Sequence, residues 1–397
     1  MKKKRKKRAY IERHREEGHI RLWNDYFSET PTYPENIFRQ RFRKNKRLFM
    51  HIVYRLSNEV HYFREKTDAL RRNSFTPLQK CTAAIRILVY GSAADTVDEY
   101  LRLDETTTRL CVEYFVEDII YLFGDEYLRR PTPADLQHLL NFGEYRGFPG
   151  MIGSIDCMHW EWKNSPTAWK GQYSRGSGKP TIVLEAVASF DLWIWHAFFG
   201  PPGTLNDINV LDRSPVFDDI INGQVPNVTF FVNGRECHMA YYLTDGIYPK
   251  WAIFIQSIPL PQEPEAVLFA KKQEAARKDV ERAFGVLQAR FAIVKNPALF
   301  WDKVKIGNIM RACIILHNMI VEDERDEYIQ YDLAGFNERE DTGTSHVDLN
   351  FSSHMPTHIT EMMEARNDIR DRQMHQQLKD DLVQNIWHKY GSSQDNN

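Results

Sequence analysis

The chain has 397 residues, 42% hydrophobic and 13% aromatic, enough apolar material for two or three folded domains and too much for a wholly disordered chain. No run of about 18 uncharged apolar residues occurs, since even the window Thr181 to Gly200 contains Glu185, Asp191 and His196, so no membrane span is expected. A net charge of −2 conceals an asymmetry: residues 1–80 carry 22 Lys+Arg against 9 Asp+Glu, and residues 321–397 carry 7 against 17.

A basic head suggests a polyanionic partner, because Lys and Arg displace condensed counterions from nucleic acid. The run Lys2 to Arg8 reads as a nuclear-localisation or nucleic-acid-binding signal, against the plain alternative of a solvated charged tail. Residues 1–35 are expected to form a basic, disordered arm. From 36 to 145 the pattern is helical: Phe38, Phe42, Phe49, Ile52 and Leu56 space out an apolar face, interleaved with Arg39, Arg41, Arg43 and Lys44. Those cations either meet phosphate or are merely solvated.

Thr76-Pro77 is a helix start, and a helix to about Tyr90 should break at Gly91-Ser92. A short helix over 94–102 and a longer one over 104–123 complete a helix-turn-helix-like unit. If it reads DNA, Thr106, Thr107 and Arg109 in the first turn of the last helix are the candidates; the acids Glu105, Glu113, Glu117 and Asp118 equally suit a structural bundle. A further helix begins at Thr132-Pro133. After Gly150 the runs 151–157, 180–190, 192–199, 228–233 and 240–245 suit strands, interrupted or followed by helical stretches at 206–222, 264–291 and 303–322. This order predicts a mixed α/β domain over 146–325, followed by an acidic, partly disordered tail over 326–397. The five cysteines are widely spaced without a Cys-x-x-Cys, which fits free thiols in a reducing compartment.

The chemistry rests on carboxylates. Asp156 ends an apolar approach, where a desolvated carboxylate needs a partner such as a metal. Asp245 ends the run Tyr241 to Thr244, although Asp-Gly is also a common turn. Asp207 is either a further metal ligand or the N-cap or first-turn acid of a helix. On the helix over 264–291, Val280, Phe284, Leu287 and Phe291 make the buried stripe. Glu281 stands at its edge with Arg277 one turn earlier, either as a surface ion pair or as metal ligand and phosphate contact. Acids of this kind can converge on Mg²⁺ or Mn²⁺, which take oxygen ligands and can activate water at a phosphodiester.

Taken together, Gly153 to Trp160, Leu205 to Leu211, Tyr241 to Tyr248, Asp279 to Phe291 and Ile315 to Ile320 resemble the catalytic blocks of PIF/Harbinger transposases, in the plant branch that includes host-adopted, ALP-like nuclease-like proteins. The resemblance spans residues 38–325. It implies a ribonuclease H-like DDE catalytic domain preceded by the all-α, helix-turn-helix-like domain, with Asp156, Asp245 and Glu281 catalytic and Asp207 as an added metal ligand. It further implies a nuclear, Mg²⁺- or Mn²⁺-dependent DNA endonuclease or transposase working with a Myb-like DNA-binding partner; the oligomeric state stays open. The alternative is a domesticated, catalytically silent chromatin or DNA interaction module. One departure concerns phosphate contacts: Arg277 matches a basic position of related bacterial transposases, but Gln288 stands where they carry Lys, and Arg290 is the nearby substitute.

Overall fold

The computed structural model describes residues 12–67, 73–176, 178–215, 228–332, 344–347, 367 and 369–391. The basic run Lys2 to Arg8 and the end of the stretch expected to be helical over 206–222 lie outside them. Two compact units divide the chain: residues up to Leu122 with Arg290–Lys295, and Phe123–Ala289 with Asn296 onward.

The described secondary structure of the first unit is helical: α1 (Arg15–Tyr26), α2 (Glu35–Phe42), α3 (Lys46–Glu59), α4 (Pro77–Tyr90), a 3₁₀ turn (Ala94–Val97) leading into α5 (Asp98–Leu101), and α6 (Glu105–Tyr127), within which the chain passes to the second unit. Thr76 starts α4 with a capping box to Gln79, and Gly91 ends it at φ 59°, the left-handed geometry that a residue without a β-carbon adopts readily. The helix-break-helix order around Gly91 is therefore present. Residues 15–26 fall in the stretch expected to be a disordered arm, yet they form α1. Leu22 and Tyr26 are buried, and Tyr26 packs edge-on against Phe38 and Phe42, which stack at 4.1 Å. Aromatic pairing of that kind adds roughly 1 kcal/mol per contact to plain burial, which outweighs the surrounding charge.

In the second unit follow α7 (Pro133–Tyr145), β1 (Met151–Glu161), α8 (Thr167–Tyr173), β2 (Thr181–Ala188), β3 (Ile194–Pro202), α9 (Asp207–Leu211), β4 (Val228–Val232), β5 (Arg235–Cys237), β6 (Tyr241–Thr244) and β7 (Phe254–Gln256). Then come α10 (Pro264–Arg277), α11 (Asp279–Arg290), α12 (Ala292–Lys295, assigned to the first unit), α13 (Lys303–Asp332), β8 (His346–Val347) and α14 (Arg372–Tyr390). Five strands form one mixed sheet in the order β3-β2-β1-β6-β7. The pairs β1–β2 and β2–β3 are antiparallel, whereas β6 runs parallel to β1 and β7 parallel to β6. The mixed α/β class expected from the sequence is what forms.

Three details differ from expectation. The run 228–233 does not enter the main sheet; β4 pairs with β5 and β8 in a separate three-stranded sheet. Residues 254–256 supply a fifth main-sheet strand, too short for a periodicity to be visible. The stretch 264–291 is two helices that part at Lys278, where the buried Asp279 is drawn to Arg146 at 2.6 Å and to Arg282.

A buried cluster of Ile155, Val187, Leu211, Tyr248, Ile253 and Phe254 fills the sheet beside the carboxylates, and Ile369 from the tail joins it. Helix α13 contains the one described segment, Lys303–Arg325, long and apolar enough to cross a membrane, but 72% of its apolar window is buried inside the protein, as in a core helix. Asn318 on that helix donates to Tyr127 O (2.6 Å) and Ile194 O (2.8 Å) and accepts from Ile194 N (2.9 Å), while His317 Nε2 is 2.8 Å from Leu192 O. The His-Asn pair thus satisfies the backbone around the β2–β3 turn, a structural role.

Candidate active site

Asp156 lies at the middle of β1, and Asp245 follows β6 directly. Because β6 pairs in parallel beside β1, with Ser154 opposite Leu243, the two acids come to neighbouring strands. Asp245 accepts a hydrogen bond from Ile247 N at 3.0 Å, so the Asp-Gly turn exists and its carboxylate still faces the other acids. The third acid arrives on the segment after β3. A β-carbon at Gly203 would fall 1.8 Å from Thr181 Oγ1, so only glycine lets that segment run against β2, where Gly203 N donates to Thr181 O at 2.8 Å. Asn206 then caps α9 by accepting from Asn209 N at 3.0 Å, leaving Asp207 as first helical residue.

The carboxylate oxygens of Asp156, Asp207 and Asp245 lie within 4.8 Å of one another, all three residues half-buried. Burial, offset by Cys157 N–H and Arg277 and reinforced by Asp245 and Glu281, pushes the Asp156 carboxyl up to about 6. Burial and then Asp245 also raise Asp207. Three converging carboxylates, with Asp156 and Asp207 resisting ionisation and only oxygen donors in the cluster, form a set that a hard divalent cation would satisfy.

Helix α10 carries the remaining charge. It is fixed to the sheet by buried Gln273, whose Nε2 donates to Thr244 O and Ile255 O at 3.0 Å each, and by Ser154 Oγ donating to Ala276 O at 3.3 Å. Arg277 at its end reaches Asp156 at 3.4 Å, Glu281 at 2.7 Å and Glu274 at 3.0 Å. Its burial works against its charge, but the Glu274 and Glu281 carboxylates outweigh that and hold the guanidinium above its usual range. Glu281, in the first turn of α11, is therefore joined to Asp156 through Arg277 and, among the described residues, stands outside the three-aspartate cluster. Gln288 Nε2 donates toward Met158 Sδ at 3.1 Å, so this neutral side chain turns to β1. Arg290 ends α11, almost fully buried, in the segment assigned to the first unit.

In the first unit the candidate DNA contacts separate. Lys44 is fully buried, its Nζ 5.8 Å from the Phe291 ring centre, which corrects its reading as a solvent-facing phosphate contact. Arg41 lies over Tyr33 at 4.2 Å and donates to the Tyr26 hydroxyl, and Arg43 ends α2 at φ 59°. Arg39 is half-buried on the same helix. Asp104 caps α6, accepting from Thr107 N at 3.1 Å and from Thr107 Oγ1 at 2.7 Å. Arg109 pairs with Glu105, and both are exposed, as is Thr106.

Two residues beside the cluster went unassigned from the sequence. Glu185 on β2, opposite Cys157, is fully buried, with Oε2 4.0 Å from His196 Nε2, and its carboxyl is pushed up to about 7 by burial above all. Its signal was a lone acid inside the apolar run Thr181 to Ala188. Arg175 acts electrostatically on both Asp207 and His159, and no pattern marked it.

Similarity to known proteins completes the picture. The plant transposon protein family matches residues 125–328, about half of the chain, and a domain of unknown function matches residues 18–57. The human protein named "Putative nuclease HARBI1" is 22% identical over 260 residues, covering 64% of this chain and 70% of its own length. From Arabidopsis thaliana, Protein ALP1-like is 24% identical over 253 residues (62% and 61%), and Antagonist of Like Heterochromatin Protein 1 is 23% identical over 323 residues (78% and 80%). No solved structure gives a significant match. The chain thus belongs to the plant transposon protein family, within the Harbinger transposase-derived group and its ALP-like branch.

Proposed function

We propose that this chain is a divalent-metal-dependent DNA endonuclease of the PIF/Harbinger type, built on a ribonuclease H-like framework and acting in the nucleus at the ends of a mobile element. The observation that carries the reading is the convergence of Asp156, Asp207 and Asp245 from three separated segments. The sheet order β3-β2-β1-β6-β7, with the first acid on the central strand and the second after its parallel neighbour, supports the framework. Asp156, Asp207 and Asp245 would hold Mg²⁺ or Mn²⁺, which supplies Lewis acidity at the scissile phosphate and acidifies bound water.

The protein's own part is positioning. Gln273 locks α10 onto β6 and β7. Arg277 aligns Glu281 with Asp156 and balances part of the acidic charge, and the first turn of α11 favours an anion at Glu281 through the helix dipole. Arg277 is taken up by three carboxylates, so its part is to orient Glu281 rather than to meet the substrate phosphate first. Strand transfer and a Myb-like partner belong to the same reading.

A second reading has its own observation. Gln288 contacts Met158 in place of a basic side chain, and one relative is named for antagonism of a heterochromatin protein, both of which favour a silent DNA or chromatin module. Cleavage of supercoiled and terminal-repeat DNA with Mg²⁺ or Mn²⁺, with a Myb-like partner supplied and Glu281→Ala in parallel, separates the two. Metal-dependent cutting lost in the variant is the result expected of a nuclease; no cutting by folded, metal-binding protein leaves the module.

A further inference from the structure

Between β1 and β2 the chain makes an excursion, Trp162 to Pro180, that contains Lys163, Lys170, Arg175 and Lys179 and no acid. It is held by its neighbours rather than by a core of its own. Trp162 is buried and donates from Nε1 to Phe300 O at 2.8 Å, Lys163 N donates to Ala298 O at 3.1 Å, and Asn164 Nδ2 donates to Leu299 O at 2.8 Å. These bonds fix α8 beside the 298–301 segment. Two tryptophans are left facing solvent there: Trp301 is 74% exposed, and Trp169, 6.2 Å from the Trp162 ring, is 46% exposed.

Large exposed indoles are costly to leave in water, and a soluble surface that keeps them next to lysines has the composition of a single-strand binding platform. Lys163 and Lys170 are exposed, and Lys179 pairs with Glu161 at 3.1 Å. The excursion also leads to the acids: Thr204 Oγ1 donates to Gln172 O at 2.8 Å, tying it to the segment that delivers Asp207. A polyanion lying on this face would therefore run toward the candidate metal site. Glu161 is taken up by Lys179, which leaves Lys163, Lys170 and Arg175 as the exposed cations of the excursion, a charge that suits a polyanion.

We propose that this surface binds an unpaired DNA strand flanking the cut, with bases stacked on Trp169 and Trp301 and phosphates met by Lys163 and Lys170. The proposal rests on the nuclease reading for its substrate, but its test does not depend on catalysis. Fluorescence anisotropy with a labelled single-stranded 20-mer is measured on the full chain in EDTA. Trp301→Ala should weaken binding about 5- to 150-fold, the range of one lost base stack. The Lys163→Glu, Lys170→Glu double variant should lower the slope of log affinity against log salt by about 1.4, two phosphates' worth for a single strand. Wild-type affinity and salt slope in the tryptophan and lysine variants, with unchanged circular dichroism, would overturn the proposal and leave the tryptophans to a protein partner. Strand binding that follows these expectations in a protein that never cuts DNA would uphold the surface while the nuclease reading falls.

Discussion

The Arg277 guanidinium stands 2.7 Å from Glu281 and 3.4 Å from Asp156, so one cation joins the helix-borne glutamate to the acid on the central strand. Removing it leaves Glu281 without its tether and takes away the positive charge that stands 3.4 Å from Asp156. Arg277→Met should lower the rate of metal-dependent DNA cleavage by about 100-fold, the size expected when a side chain near the chemistry is misplaced by about an ångström. Arg277→Lys should recover only part of it, because an ammonium cannot divide a planar fork among carboxylates. Single-turnover cleavage of the three proteins is the measurement.

Gly203 gives a geometric prediction. A methyl group there meets Thr181 at 1.8 Å from Oγ1 and 2.9 Å from the carbonyl oxygen, and the second contact is backbone. Gly203→Ala should push the Asp207 segment away from β2, weakening Mn²⁺ binding at least 10-fold while the protein stays folded. Electron paramagnetic resonance of free Mn²⁺ reports the affinity directly.

The buried pair Glu185 and His196 gives a pH signature. Glu185 is raised from its ordinary value to about 7, so between about pH 4.5 and 7 the folded state holds a proton that the unfolded state has lost, and stability falls as pH rises. His196 is lowered by burial to about 4, so from about pH 4 to 6.5 the unfolded state binds the extra proton, and stability rises with pH. Over their shared range the two slopes oppose each other. Glu185→Gln should expose the rising slope between pH 4 and 6.5, and His196→Gln should expose the falling one between pH 4.5 and 7. Urea unfolding across pH reads both; parallel profiles in all three proteins would contradict the assignment.

Asn318 tests the framework apart from the chemistry. It is fully buried and makes three hydrogen bonds to backbone atoms of Tyr127 and Ile194. Asn318→Leu should cost about 3 kcal/mol or more in denaturant unfolding, because buried peptide groups lose their partners.

What was legible in the sequence follows from the range of the forces involved. Thr76-Pro77 and Thr132-Pro133 announced α4 and α7 because capping is local, and in the structure each threonine goes further and closes a capping box. The buried stripe of Val280, Phe284 and Leu287 was equally readable from its spacing. Glu281's relation to Asp156 was harder, since it depends on a parallel strand pairing and on Arg277 being shared. The participation of Asp207 in the cluster depended on Gly203 meeting Thr181 across two strands, which no periodicity encodes. Lys44 shows the opposite failure: interleaved cations looked like one solvent-facing set, and helix packing buried one of them beneath Phe291.

The central claim is that Asp156, Asp207 and Asp245 form one divalent-cation site. Calorimetric titration of Mn²⁺ into the full chain at pH 7.5, beside Asp156→Asn and Asp245→Asn, tests it most directly. The account predicts saturable binding to wild type that weakens at least 10-fold in each variant. Equal binding by all three proteins, with folding intact, would contradict it.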